Sequence, residues 1–336
     1  MIQDITPIAA IDWESPGKRI YHIPFTYDGA WARVRIPLCV ICGNSPGKTV
    51  AAIGGTHGDE YEGPVALKRL ISDLEAESVT DGRLIIIPVL NVPAFEIDSR
   101  DSRLDGGNMN RAFPGDANGS ITKRIARFVT DEVLTRADIV IDFHSAGGAM
   151  EIAPCTSFHS IDDPDLFEQY KKTAFLFGMP FTLIYTSGMG TGLLTEEAEK
   201  MGKITLGGEF GFGASTNLSG VRWAYEGLLN VMRYNGMMKG ELTSLLTPEY
   251  EKQRLVTNTD INSYITAPIS GISEPLVPLG SFVRAGQPVI QIHDFERFDE
   301  NGCVIRADKD GYVIMRRFRA RTNQGDVVMV IGSEIE

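Results

Sequence analysis

The feature that most constrains the fold of this chain is an alternation of short apolar runs with segments of helical periodicity. Apolar runs typical of buried strands lie at 49–53, 83–90, 138–143, 180–185 and 203–206. Between them, apolar residues recur every three to four positions, as in helices, over 63–76, 121–136, 165–177 and 218–238. This order predicts an α/β domain with a mixed, largely parallel sheet covered by helices on both faces.

The sequence on either side of this alternation is β-rich. We expect residues 1–46 to form a β-rich extension packed on the α/β domain, which spans 47–246. Past residue 247 the helical periodicity stops, and Pro and Gly separate short β segments. The stretch 247–336 is therefore predicted to be a smaller all-β domain.

Two segments of this C-terminal stretch, 267–292 and 307–331, resemble each other. Such a repeat predicts two half-barrel units packed face to face, and it is similar to the biotinyl/lipoyl-like β-sandwich. Carrier domains of that fold hold a modified lysine between their halves, but residues 296–302 contain no lysine. We therefore expect a module that supports the structure or completes a pocket.

Composition and charge exclude several other classes of protein. Four Cys among 336 residues are too few for a disulfide scaffold, and 43% hydrophobic residues exclude disorder. The 32 Lys and Arg against 44 Asp and Glu give a charge of −12, which disfavours nucleic acid and anionic membranes as partners. Because neither a signal-peptide core nor an apolar run of about 18 residues is found, a cytoplasmic location is expected.

Two histidines and a glutamate follow predicted strands and indicate a metal site. His57 and Glu60 lie in a Gly-rich segment after the run at 49–53, and His144 ends the run at 138–143. Ligands bind beyond the carboxyl ends of the strands in an open α/β sheet, so these side chains should share one edge. Two imidazoles and a carboxylate are good zinc ligands, and three protein ligands leave a position open for catalysis. The alternative is that both histidines are ordinary core residues.

Two further segments contain polar side chains suited to a substrate. Asp142 lies two residues before His144, where it could orient that imidazole or cap a neighbouring loop. The Gly-rich loop 103–115 contains Arg103, Asn108, Asn110 and Arg111. Its guanidinium and amide donors suit a carboxylate or a developing oxyanion, although solvated surface charges are the alternative.

Four motifs in order carry a family resemblance: HGDE at 57–60, NR at 110–111, DFHS at 142–145 and GGEFG at 207–211. With these motifs the chain resembles the succinylglutamate desuccinylase/aspartoacylase family. The resemblance implies a carboxypeptidase-like α/β fold with a β-rich C-terminal domain. It also implies hydrolysis of an N-acyl amino acid with one Zn²⁺ per subunit, and a homodimer.

The resemblance also assigns roles to individual residues. It implies that the zinc ligands are His57, Glu60 and His144, and that Glu209 is the general base. Arg103 would polarise the scissile carbonyl. The substrate carboxylate would meet Arg111 and Asn110, and Asn108 stands where aspartoacylase has Asp, which could alter recognition.

Within the family, the length, the loop and the C-terminal part resemble most the branch that deacetylates N-acetyl-2,4-diaminobutyrate in ectoine breakdown. Such a substrate has a side-chain ammonium, for which the sequence offers Asp59, Glu62, Asp101 and Asp105 without distinguishing them. Three alternatives stay open: deacylation of succinylglutamate or aspartate derivatives, a metallocarboxypeptidase, and a zinc-dependent binding protein without catalysis.

Overall fold

The computed structural model describes residues 6–27, 32–186, 191–246 and 252–335. Its helices are α1 (Glu62–Asp73), α2 (Val92–Phe95), α3 (Ile121–Phe128), α4 (Pro164–Phe175), α5 (Leu194–Lys200) and α6 (Leu218–Tyr234). The strands up to residue 209 are β1 (Gly17–Tyr27), β2 (Ala32–Cys42), β3 (Ser45–Gly54), β4 (Asp81–Ile87), β5 (Ile139–His144), β6 (Met150–Ile152), β7 (Cys155–His159), β8 (Phe181–Tyr185) and β9 (Ile204–Glu209). The later strands are β10 (Arg254–Thr257), β11 (Tyr264–Thr266), β12 (Gly271–Pro275), β13 (Phe282–Val283), β14 (Pro288–His293), β15 (Cys303–Arg306), β16 (Gly311–Arg317), β17 (Arg321–Thr322) and β18 (Val327–Ile335).

One large mixed sheet organises the molecule, in the order β1-β2-β4-β3-β5-β9-β7-β8-β10-β18-β16-β13. Strands β4, β3, β5 and β9 run parallel to one another, and β1 and β2 extend the sheet with antiparallel pairing. The predicted α/β class with a mixed, largely parallel central sheet is therefore confirmed.

The central strands are apolar on both faces because helices cover both faces. In β4, Leu84 and Ile86 join the core under α1 and α6, whereas Ile85 and Ile87 join the core under α3. Successive side chains of a strand point to opposite faces, so such a strand must be continuously apolar. This explains the unbroken apolar runs of the sequence.

Strand pairing continues across residue 247, where the sequence predicts a domain boundary. Strand β10 pairs in parallel with β8, and β16 pairs with β6. Beyond them, a second antiparallel sheet, β15-β14-β12-β17, packs on its own apolar core. The β-rich C-terminal part therefore exists, but it shares the large sheet with the α/β part. The three predicted domain ranges stay a prediction.

Four of the elements named above that precede residue 247 are additional to those predicted from the sequence: α2, β6, β7 and α5. The short strands β6 and β7 mix polar and apolar residues, so their periodicity is weak. Within the part of the chain that the structure describes, no helix has the length and apolar character needed to cross a bilayer.

Candidate active site

The loop between β3 and α1 turns His57 and Glu60 to the carboxyl edge of the sheet. Gly55 adopts a positive φ of 61°, a conformation that glycine accepts without strain. Gly58 packs against the backbone of α2 so closely that an added Cβ would lie 2.1 Å from the carbonyl carbon of Ala94. Glycine at these two positions therefore permits the sharp turn.

His144 is the last residue of β5 and lies at the same carboxyl edge of the sheet. Strand β5 pairs in parallel with β3, and Phe143 lies opposite Gly54. His57 Nδ1 is 2.8 Å from Glu60 Oε1, and His144 Nδ1 is 2.9 Å from Glu60 Oε2. Ligand atoms of the three side chains all lie within 4.8 Å of one another. The structure thus brings together the three residues predicted as metal ligands.

The short distances between these side chains shift the pKa values of Glu60 and His144. Burial opposes ionisation of Glu60, but the two imidazoles outweigh it and hold the pKa of this carboxyl well below its usual range. Burial likewise opposes protonation of His144, but Asp142 and Glu60 outweigh it and raise the pKa of the imidazole well above its usual range. The carboxylate therefore attracts positive charge to this position.

Asp142 orients the imidazole of His144. Its Oδ2 lies 2.7 Å from His144 Nε2, and its Oδ1 accepts a 2.7 Å hydrogen bond from the hydroxyl of Thr56. The first of the two roles considered for Asp142 is therefore observed. Because Nε2 is engaged, Nδ1 is the imidazole nitrogen that faces Glu60.

The donor set fits a divalent cation such as zinc. Zinc binds imidazole nitrogen and carboxylate oxygen at about 2.0–2.2 Å, and its ligands must be deprotonated. A bound cation would take the place of the protons that these side chains share in their hydrogen bonds. His57, Glu60 and His144 therefore form a possible metal site.

Glu209 ends β9 directly opposite His144 of β5. Its Oε2 is buried and has no hydrogen-bond partner among the described residues. Burial, followed by repulsion from Glu60, raises the pKa of Glu209 above its usual range. A carboxylate that is free of internal partners can accept a proton from a substrate or a water molecule.

A cavity of about 420 Å³ joins Glu209 to the candidate ligands. Arg100 lines it and places Nη1 3.3 Å from Glu60 Oε1. Arg103, which the sequence comparison implied for the scissile carbonyl, lies elsewhere. Its guanidinium pairs with Glu96 at 2.9 Å and lines a different pocket. In an irregular loop, a shift of three residues redirects a side chain, and Arg100 rather than Arg103 lines the cavity that contains Glu209.

Of the other predicted substrate residues, Asn110 and Arg111 line the cavity. Asn110 Nδ2 lies 3.2 Å from His144 Nε2, and its Oδ1 accepts from the backbone N–H of Leu194. Asn108 does not line the cavity. Its side chain accepts a hydrogen bond from the backbone N–H of Asn110 and so shapes the short helical turn Met109–Arg111.

The acidic residues considered for a substrate ammonium also lie outside the described cavity wall. Asp59 accepts from the backbone N–H of Gly148, Glu62 from the hydroxyl of Ser145, and Asp105 from Thr122. Residues that sequence reasoning did not single out complete the wall, including Tyr185, Asn258 and Met315. Two of these follow residue 247, which agrees with a pocket-completing role for the C-terminal part.

A family profile and a named relative are both similar to this chain. A family profile of the succinylglutamate desuccinylase/aspartoacylase catalytic domain matches residues 46–235. The N-alpha-acetyl-L-2,4-diaminobutyric acid deacetylase of Halomonas elongata is 35% identical over 335 residues, which is 98% of this chain and 96% of that protein.

Solved structures agree with this. The product-bound ectoine utilization protein EutE (DoeB) from Ruegeria pomeroyi is 34% identical, with a TM-score of 0.87 and coverage of 98% of each chain. A succinylglutamate desuccinylase/aspartoacylase from Rhodobacter sphaeroides is 32% identical, also with a TM-score of 0.87, over 97% of this chain and 98% of that one. The chain belongs to the succinylglutamate desuccinylase/aspartoacylase family.

Proposed function

We propose that this chain is a zinc-dependent amide hydrolase that converts N-α-acetyl-L-2,4-diaminobutyrate to 2,4-diaminobutyrate and acetate in ectoine breakdown. The observation that carries the proposal is the convergence of His57, Glu60 and His144 with Glu209 in one cavity. The name and the 35% identity of the Halomonas relative support the choice of substrate.

The charges of the cavity favour a substrate with a single carboxylate. The described cavity wall contains two cationic side chains, those of Arg100 and Arg111. Arg100 is already paired with Glu60. Residues 187–190, outside the described part, contain no Lys or Arg. Arg111 therefore remains for one carboxylate, whereas N-acetylaspartate or succinylglutamate would bring at least one more. An acetyl group requires no cation at the acyl end.

Each side chain of the cavity has a separate role in the proposed hydrolysis. Arg111 and Asn110 hold the α-carboxylate, and Arg100 donates to the scissile carbonyl oxygen and stabilises the charge that develops there. Glu209 takes a proton from the attacking water as the water oxygen bonds to the acyl carbon. It then delivers this proton to the amide nitrogen as the C–N bond breaks.

His57, Glu60 and His144 would hold the zinc ion. When bound, zinc supplies Lewis acidity at this position. One ion per subunit and a homodimeric assembly stay predictions.

The test is a side-by-side assay of the purified full chain. After its metal content is measured, release of acetate or succinate is followed with N-α-acetyl-L-2,4-diaminobutyrate, N-acetylaspartate, succinylglutamate and a panel of peptides. We expect turnover of the first compound to exceed the others. Faster turnover of peptides would indicate a carboxypeptidase, and binding without turnover would indicate a binding protein; either result contradicts the proposal.

A further inference from the structure

Asn258 lies in the wall of the active-site cavity although it belongs to the C-terminal part of the chain. It directly follows β10, whose last residue, Thr257, lies opposite Ile184 of β8. Asn258 is therefore level with Tyr185 at the end of β8, and both residues line the cavity that contains the candidate metal ligands.

Only one of the two polar atoms in the side-chain amide of Asn258 has a hydrogen-bond partner among the described residues. The residue is 1% exposed, and its Nδ2 donates a 3.1 Å hydrogen bond to the hydroxyl oxygen of Tyr264. Its Oδ1 is buried and finds no hydrogen-bond partner among the described residues. Buried carbonyl oxygens in folded proteins are nearly always paired, so an exception in a binding cavity points to a partner that arrives with the ligand.

A side-chain ammonium needs such an acceptor. Glu60 and Glu209 are the carboxylates of the described cavity wall, and the first faces His57 and His144 while the second is placed for proton transfer. A third carboxylate beside them would add repulsion between buried negative charges. A neutral carbonyl oxygen can accept from an ammonium without that repulsion.

Tyr185 offers a second favourable surface for a cation. Tyr185 lines the cavity, and its ring packs against that of His159 with ring centroids 4.4 Å apart. His159 is held in turn by Glu199, whose Oε2 lies 2.6 Å from Nδ1. The face of a fixed aromatic ring attracts an ammonium within about 6 Å of its centroid.

We propose that Asn258 is a specificity-determining residue whose side-chain carbonyl accepts a hydrogen bond from the side-chain ammonium of the substrate, beside the ring of Tyr185. The inference rests on the proposed function and deepens it. It makes the C-terminal part responsible for distinguishing a diamino acid from a monoamino acid.

The experiment compares two substrates with the same carbon skeleton, N-α-acetyl-L-2,4-diaminobutyrate and N-acetyl-L-2-aminobutyrate, which lacks the amine. The wild-type enzyme should prefer the first by about tenfold or more in kcat/KM, because hydrogen bonds to charged groups are strong. Asn258→Leu keeps the size of the side chain and removes the carbonyl, so it should abolish this preference, chiefly by raising KM for the diamino compound. Asn258→Asp keeps an acceptor oxygen and should retain the preference.

The control is Asn262→Leu, the same change at an exposed position four residues along the chain. It should leave both kcat/KM values unchanged. Equal loss with both substrates in Asn258→Leu would indicate a merely structural role and overturn the inference, as would equal wild-type turnover of the two substrates. If Asn258→Leu does not fold, Asn258→Ala takes its place, because it also removes the carbonyl and should likewise abolish the preference. Absence of wild-type activity on either compound would contradict the proposed function instead.

Discussion

Several buried polar atoms at the sheet edge have no hydrogen-bond partner within the described residues, and His57 Nε2 and Glu209 Oε2 are two of them. Other polar atoms there are paired, as Asp142 is with Thr56 and His144. Unpaired atoms inside an otherwise paired cluster are positions where an external group completes the hydrogen bonding. For Glu209, the proposed mechanism makes that group the water molecule whose proton it accepts.

Replacing Glu209 with Gln should separate metal binding from catalysis. The amide keeps the size of the side chain but cannot accept the proton, so we expect kcat to fall about 1000-fold, within the range attributed to general bases. Metal content should remain that of the wild type because Glu209 is not a candidate ligand. Both quantities can be measured on one preparation, and full activity would remove the general-base role.

The two arginines of the loop before Met109–Arg111 provide a matched pair. Arg100 faces Glu60 in the cavity, whereas Arg103 pairs with Glu96 outside it. Arg100→Ala should lower kcat about 100-fold, as expected for the loss of an oxyanion donor. Arg103→Ala should change kcat/KM by less than about twofold, because removal of an exposed ion pair has little effect. The opposite order in steady-state kinetics would restore the role first expected for Arg103.

The sequence alone was sufficient to predict the positions of residues that end regular strands. His144 and Glu209 end strands β5 and β9, and parallel neighbours bring their ends together whatever the loops do. Arg100 could not be chosen over Arg103, since the loop around them has no periodicity from which to derive side-chain direction. The position of Asn258 at the cavity could not be predicted, because it depends on the pairing of β10 with β8, which the residues near Asn258 do not indicate.

At the scale of elements, the β3–α1 loop depends on its close contact with α2. The Cα of Gly58 packs directly on the backbone at Ala94, so no side chain can be accommodated there without moving one of the two segments. Since His57 and Glu60 flank this glycine, any movement of the loop separates them from His144.

Gly58→Ala should therefore reduce both stability and metal binding. We expect a loss of about 2 kcal/mol or more in the free energy of unfolding, as for other overpacked sites. Gly148→Ala is the control, because a Cβ at this other loop glycine would meet no atom within 4 Å. Denaturant unfolding and metal analysis of both variants provide the measurements, and equal behaviour of the two would contradict the packing argument.

A helix or strand could be predicted from the sequence where its buried apolar residues follow a regular pattern. Helices α1 and α6 and strands β4 and β5 were predicted because their apolar residues follow a helical or a fully buried pattern. Strands β6 and β7 were not, since Met150–Ile152 is short and Cys155–His159 contains adjacent polar residues that break any alternation. Such strands are defined by their neighbours rather than by their own residues.

At the scale of the whole molecule, the catalytic part and the C-terminal part are joined by strands rather than by a hinge. Strand β10 covers the edge of β8, and Arg316 of β16 forms an ion pair with Glu151 of β6. The cavity draws Met315 and Asn258 from this side. The two parts should therefore unfold together and not as separate domains.

A chain that ends at residue 246 tests this directly. It would leave β8 as an unpaired edge, which favours aggregation, and would open the cavity wall. We expect insoluble or inactive protein. Replacing 296–301 with two glycines removes only an exposed tip that includes Phe298, which is 88% exposed. That control should keep activity and shift Tm by less than about 2 °C. A soluble, active chain without residues 247–336 would contradict the shared-sheet interpretation.

The position of β10 also has a consequence during synthesis. Strand β8 and its partner β10 are separated in the sequence by helices α5 and α6, and β10 in turn pairs with β18 near the end of the described chain. A chain emerging from the ribosome can form the parallel centre of the sheet and the pairing of β8 with β7 early, but the other edge of β8 stays unpaired until β10 is made. Such long-range pairing makes the last stage of folding slow, and a chaperone that shields β8 during translation would raise the yield of active enzyme.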